Sequence, residues 1–288
     1  MHKYLKSIGF RGIDNDDYRM LLRDIEAHPT QQFVSEDFDG DEIIEYIKEY
    51  QFGIGIADIG RIDEEDGFLR EYSYPYFEGK TISSNADVEL IRCSDRECYQ
   101  AILEDNRIGI DLVFFVIDSL ALVKQDYEEG KKINTGRVKL SGLASEGKVL
   151  FQLADDKIYV PDPVLEKNRA ELYEQARNGD TDAIDELSSK DYDTYNLIQE
   201  RMKSEDTLTI LQSYIMPIGI ECDKYSILGT ILDFKIMQNF TTKQKVVLMQ
   251  VEASGIVIDI AINAKDVIGE LKVGRRFKGE IWLQGKIF

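Results

Sequence analysis

Val246–Asn263, VVLMQVEASGIVIDIAIN, reads as two strands, Val246 to Val251 and Ile256 to Ile262, turned at Ser254-Gly255. Upstream, Ile227 to Ile236 carries the same β-branched character, and Phe277 to Leu283 closes the set downstream. Asn263 to Gly269 is a short connector with room for one helical turn. Four or five strands within ~65 residues must close or stack to hide their edges, which predicts a small β-barrel over 218–288. Phe277, Ile281 and Leu283 alternate with Lys278, Glu280, Trp282 and Gln284. If the first set faces the core, Trp282 lies on the opposite face and covers a neighbouring module.

Charge separates this tail from the rest. Glu221 to Phe288 holds ten Lys/Arg and eight Asp/Glu, a net of +2; Met1 to Ile220 holds the other 25 bases and 46 acids, a net of −21. A surplus of acid on this scale opposes broad binding to nucleic acid or anionic membrane, because phosphate attraction needs excess Lys and Arg. At 288 residues the chain can hold two or three cores. MHKYLKSIGFRGIDNDD has no apolar signal-peptide core, and no stretch approaches the ~20 apolar residues of a membrane span. Cys93, Cys98 and Cys222 lack CxxC spacing, which predicts free thiols in a reducing compartment, and the cytoplasm is the expected location.

The first half reads as mixed α and β. Asp14 to Ala27 is a helix with Asp14, Asn15 and Asp16 as N-cap candidates and Leu21, Leu22 and Ile25 on its apolar face. Glu42 to Tyr50 fits strand or helix and is read as strand. Gly53 to Ile59 and Phe68 to Phe77 form a hairpin about the polar turn Asp63 to Gly67. Asp87 to Arg92 and Arg107 to Ile117 are further strands. Arg137 to Ala144 and Lys148 to Leu153 make a second hairpin about Ser145-Glu146-Gly147. Helical spacing then follows: Leu165 to Asn178 ending at Gly179, a helix capped by Asp180 or Thr181 with Ile184 and Leu187, another from Asp191, and a last one through Leu208, Leu211 and Ile215 before Pro217. The fold class expected is α+β: an N-terminal mixed domain with a mainly antiparallel sheet over 1–160, a helical segment over 161–217, and the barrel over 218–288.

Three segments carry a resemblance: GDTDAIDELSSKDYDTY, IECDKYSILGTI and GRRFKGEIWLQGKIF. They are similar to a bacterial family catalogued as domain of unknown function 3881, along the full length and most specifically at the end. The resemblance implies a cytoplasmic bacterial protein. It carries no activity and no site residue across.

Motif tests exclude several chemistries. Gly142 to Lys148 fits G-x-x-x-x-G-K, but Val149 stands where a P-loop needs Ser or Thr, and a strand follows instead of a helix. Gly53, Gly55 and Gly60 have the wrong spacing for a dinucleotide loop. Counted from Asp37, an EF-hand's position 6 is Glu42 and its position 12 is Lys48, so Asp37 to Asp41 lacks that loop's glycine and bidentate ligand. With His2 and His28 alone, and Cys93 and Cys98 five apart without a second pair, no His-based triad or zinc site is expected, and no metal or cofactor.

Gly274 to Gly279, GRRFKG, is the dense basic cluster. Arg275, Arg276 and Lys278 with Phe277 or Trp282 as stacking platform form the candidate binding patch for nucleic acid. The acidity of the attached domains favours instead a strand entry whose bases pair with acids of the N-terminal module. The preferred expectation is therefore a non-enzymatic protein-interaction or scaffold module with a protein partner. Nucleic-acid binding through Arg275 to Lys278 is the alternative, and an enzyme with carboxylates in an inter-domain cleft is the second.

Overall fold

A computed structural model describes residues 2–36, 41–63, 67–93, 98–122, 136–152, 168, 171–172, 175–176, 178–189, 192, 208 and 211–288. The fold is broadly α+β and mostly strand. The Asp37 to Gly40 part of the calcium-like segment, most of the 165–178 helix and, apart from Tyr192, the helix expected from Asp191 lie outside the described residues.

A 3-10 helix, Lys3–Ile8, opens the chain and is followed by α1, Asn15–Ala27. Asp14 caps α1: its Oδ1 accepts from the backbone N–H groups of Asp16 and Asp17 at 2.9 and 2.8 Å, supplying partners that the first turn lacks. Four antiparallel strands then form one sheet in sequence order: β1 (Gln31–Glu36), β2 (Glu42–Gln51), β3 (Ile54–Asp63) and β4 (Gly67–Phe77). Ile54 to Gly60 of β3 are buried because α1 packs on the sheet and the barrel covers the sheet as well.

The second sheet holds β5 (Val88–Arg92), β6 (Tyr99–Leu103), β7 (Leu112–Val116), β8 (Val138–Leu150), β9 (Tyr214–Pro217), β10 (Lys224–Gln238), β11 (Lys245–Ala253), β12 (Ile256–Asn263), β13 (Val267–Ile268) and β14 (Arg276–Ile287). Five of them close a barrel in the order β8, β12, β11, β10, β14 and back to β8. The β8–β12 contact is parallel and the others are antiparallel. β14 also meets β7 in parallel at Gln284 and Phe115, which extends the sheet through β6 to β5.

This overturns the self-contained tail. Four strands of 218–288 leave the barrel open, and β8, from the first half, fills the gap with twelve register partners along β14. The expected hairpin at 137–153 is also corrected. β8 runs unbroken, and Ser145 is the extra residue of a bulge, since Glu146 faces Glu280 while Ala144 faces Ile281. Gly147 serves packing: a Cβ there would overlap the Phe277 ring. Tyr214–Pro217, expected to end a helix, is strand β9 on the edge of β10. Residues 181–189 are helical, and Asp180 is the cap, its Oδ1 accepting from Asp182 N at 3.0 Å. No described helix is long and apolar enough to cross a membrane.

Two cores result. Phe277, Ile281, Leu283, Ile227, Ile258 and Phe114 lie in the barrel core. Ile54, Ile56, Tyr74, Phe77, Leu143, Leu248 and Trp282 belong to a second core, between the barrel wall and the four-stranded sheet.

Candidate functional site

The five residues of the predicted patch do not share a surface. Phe277 is fully buried in the barrel core and cannot stack on a ligand. Arg276 donates to the carbonyls of Phe151, Leu208 and Leu211 at 3.1, 2.7 and 3.0 Å, which ties the barrel to the segment before β9. Arg275 pairs with Glu270 Oε2 at 2.9 Å and lies over the Phe151 ring, so its acid comes from the tail and not from the N-terminal module. Lys278 sits opposite Lys148 in the ladder, at a separate pocket on the barrel wall. Trp282 points the other way, into the second core, as the alternation along β14 predicts.

Trp282 is where the chain builds a site. Its Nε1 donates to Asp223 Oδ2 at 2.8 Å, which satisfies the indole N–H in a buried setting. Around it the rings are continuous: His2 at 4.6 Å between centroids, Phe115 at 5.2 Å and Tyr4 at 5.8 Å. Phe115 then meets Tyr74 edge to face at 4.8 Å, and Tyr72 lies 6.1 Å from Tyr74. The elements explain the gathering. Tyr72 and Tyr74 are two apart on β4 and so share a face. Phe115 comes from β7 beside β14, and Tyr4 is carried by the 3-10 helix, which Ser7 pins to the barrel by donating to the Ala144 carbonyl at 2.7 Å.

These rings border a cleft of about 740 Å³, whose other walls are the β5–β6 hairpin, with Arg92, Cys93, Cys98 and Gln100, and the Glu221–Lys224 turn. Cys93 and Cys98 form a disulfide there, correcting the expectation of free thiols at both. Cys222 is free and exposed. Three bases, Lys3, Arg92 and Lys224, face two acids, Glu221 and Asp223, on the wall, a basic balance in a strongly acidic chain. Lys224 Nζ pairs with Glu221 at 2.6 Å. Burial, then Glu280, Asp223 and Glu221, push the Tyr4 phenol up to about 12, and burial also pulls the Asp223 carboxyl up.

Behind the cleft, Tyr74 Oη lies 3.1 Å from Glu45 Oε1 and 2.8 Å from the Ile117 carbonyl oxygen. The phenol has one proton and the carbonyl can only accept. Tyr74 Oη is the donor to both, so the two acceptors share its one proton. Burial lifts the Glu45 carboxyl to about 8 against the lowering effect of the Tyr74 hydrogen bond, with Asp118 adding to the rise. Asp118 is itself lifted to about 6 by burial.

The family model described as "Domain of unknown function, E. rectale Gene description (DUF3881)" matches residues 5–285. The chain belongs to this family. The match spans both sheets and every ring of the cleft except His2 and Tyr4. No curated protein and no solved structure matches the chain. Among the described residues, no group of three or more His, Cys, Asp or Glu could hold a metal ion.

Sequence reasoning singled out Trp282 and missed its partners. The alternating tyrosines of FLREYSYPYF were a local signal for one aromatic face. Nothing local joins Tyr4 or Phe115 to Trp282, because those contacts span most of the chain.

Proposed function

We propose that the protein is a non-enzymatic binding protein whose centre is the aromatic cleft beside Trp282, and that its ligand is a planar aromatic group carrying an anionic substituent. The continuous ring wall around a cleft of about 740 Å³ carries the reading, since ligand pockets are commonly ~300–1,000 Å³ and set polar groups against apolar walls to fix a ligand's orientation. The rings suit a flat apolar body. The three wall bases, in a chain of net charge −19, suit an acid on it.

Trp282 is the sole tryptophan, so its emission reports on the cleft alone. An anilinonaphthalene sulfonate dye should bind the folded protein saturably at one site and quench Trp282 by energy transfer, with Arg92→Glu weakening it about tenfold, the loss of one charge-assisted contact. A neutral analogue should bind more weakly. Absence of Trp282 quenching at millimolar dye sinks the reading.

A protein-interaction role has its own support. Phe52 (68%), Phe240 (56%) and Ile236 (53%) are exposed, and Phe240 N donates to the Tyr50 carbonyl, which brings two of them to one corner. Exposed apolar clusters of this kind mark contact surfaces. Photo-crosslinking from position 52 or 240 in cells should give one discrete adduct; a featureless smear or none counts against it. The nucleic-acid reading is weaker, because Arg275 and Arg276 are engaged within the fold.

A further inference from the structure

We infer that the Cys93–Cys98 pair is a reversible redox latch on the aromatic cleft: a dithiol reductant opens it and thereby changes the affinity of the site. The inference rests on the cleft being a ligand site. Both cysteines line that cleft. Cys98 is buried in the same core as Trp282, Phe115 and Tyr74, and Cys93 packs against that core. The two face each other across the loop end of the β5–β6 hairpin, with Cys93 N donating to the Cys98 carbonyl at 2.9 Å and Cα atoms 5.5 Å apart, a separation that suits a bridge.

Two features distinguish a latch from a staple. The cysteines are five residues apart, so the bridge closes a small loop and restrains the unfolded chain little. Its effect is therefore local. The hairpin is also the far edge of the large sheet, since among the described residues β5 pairs with β6 alone. An edge hairpin is where a sheet opens at least expense, so the bridge governs how firmly this wall is held. Tyr99, next to Cys98, donates its backbone N–H to Ser119 Oγ at 3.1 Å, and Ser119 Oγ donates to the Val116 carbonyl at 2.9 Å, one residue from the cleft ring Phe115. Movement of the hairpin thus reaches the ring wall through two hydrogen bonds.

Chemically, a thiolate of the reductant attacks the half-buried Cys93 sulfur, the S–S bond breaks, and Cys98 leaves as thiolate and takes up a proton. The reductant's second thiolate then displaces Cys93 from the mixed disulfide. Two electrons and two protons pass to the protein, and the dithiol becomes a disulfide.

The full chain is equilibrated in dithiothreitol redox buffers without denaturant, and thiols are counted by maleimide mass shift. One reactive thiol, Cys222, is expected in the oxidised protein and three in the reduced one, reversibly and with far-UV circular dichroism unchanged. Acrylamide quenching of Trp282 should rise on reduction, and sulfonate-dye affinity should change at least about fivefold, a shift of the size typical of coupled sites. Cys93→Ser and Cys98→Ser should each fix the reduced-state quenching and affinity in any buffer, while Cys222→Ser leaves the response intact. Three thiols under all conditions, resistance to reduction until the protein unfolds, or reduction without change in Trp282 quenching each overturns the latch. If the dye binds in neither state while quenching still follows the thiol count, the binding reading fails and the latch stands as a conformational switch.

Discussion

Glu45 shows how one buried carboxyl sets a pH response. Its folded pKa, about 8, lies above the unfolded value, so the neutral form stabilises the fold. That contribution is fully present below the unfolded pKa near 4.5 and disappears as pH rises through about 8. Asp118, lifted to about 6, acts in the same direction at lower pH. Melting temperature should therefore fall between pH 5 and pH 8.5, and Glu45→Gln should flatten the upper part of the slope. Calorimetry across that range checks it; a melting temperature that climbs with pH refutes neutral Glu45. Asp223→Ala strands the Trp282 N–H in a buried site and should destabilise the fold by about 1–3 kcal/mol in urea titration. At this scale the sequence was partly legible. Alternation along β14 placed Trp282 away from Phe277 and offered Phe277 to the core, yet nothing local revealed that Arg276 binds three carbonyls, because those partners are 65 to 125 residues away.

Among elements, β8 carries the most information. Ser145-Glu146-Gly147 has turn composition, and in an isolated hairpin it would turn. Here β14 runs alongside it, β12 and β13 take the other edge, and the segment is drawn into a bulged strand. Bulges bend and twist a strand, which is what a barrel wall requires. Gly147→Ala should lower stability by about 1–3 kcal/mol, the usual result of forcing atoms into a packed core, because its Cβ meets the Phe277 ring. An unchanged urea midpoint refutes that packing. The strands read from sequence, β2, β3, β4, β5, β7, β10, β11, β12 and β14, have strong local alternation or β-branched runs. Those missed, β1, β6, β9 and β13, are short, and neighbours decide them.

For the whole molecule, the barrel is assembled from both halves. Residues 218–288 expressed alone should lack the cooperative unfolding transition of the full chain, since the edges of β12 and β14 that β8 covers are left open. Fusing 136–152 to that fragment through a flexible linker should restore part of the transition. A tail that melts cooperatively by itself refutes the shared barrel.

From its residues alone the chain determined its acidic charge, its mixed α and β character, the cap of α1 and most of the long strands, since each depends on composition, period or a neighbour a few positions away. Tertiary structure alone decided which strand closes the barrel, that Cys93 meets Cys98 beside Trp282, and that rings from four distant segments share one wall. Those are pairings between remote segments, and a strand's pattern specifies a buried face without specifying the partner that buries it.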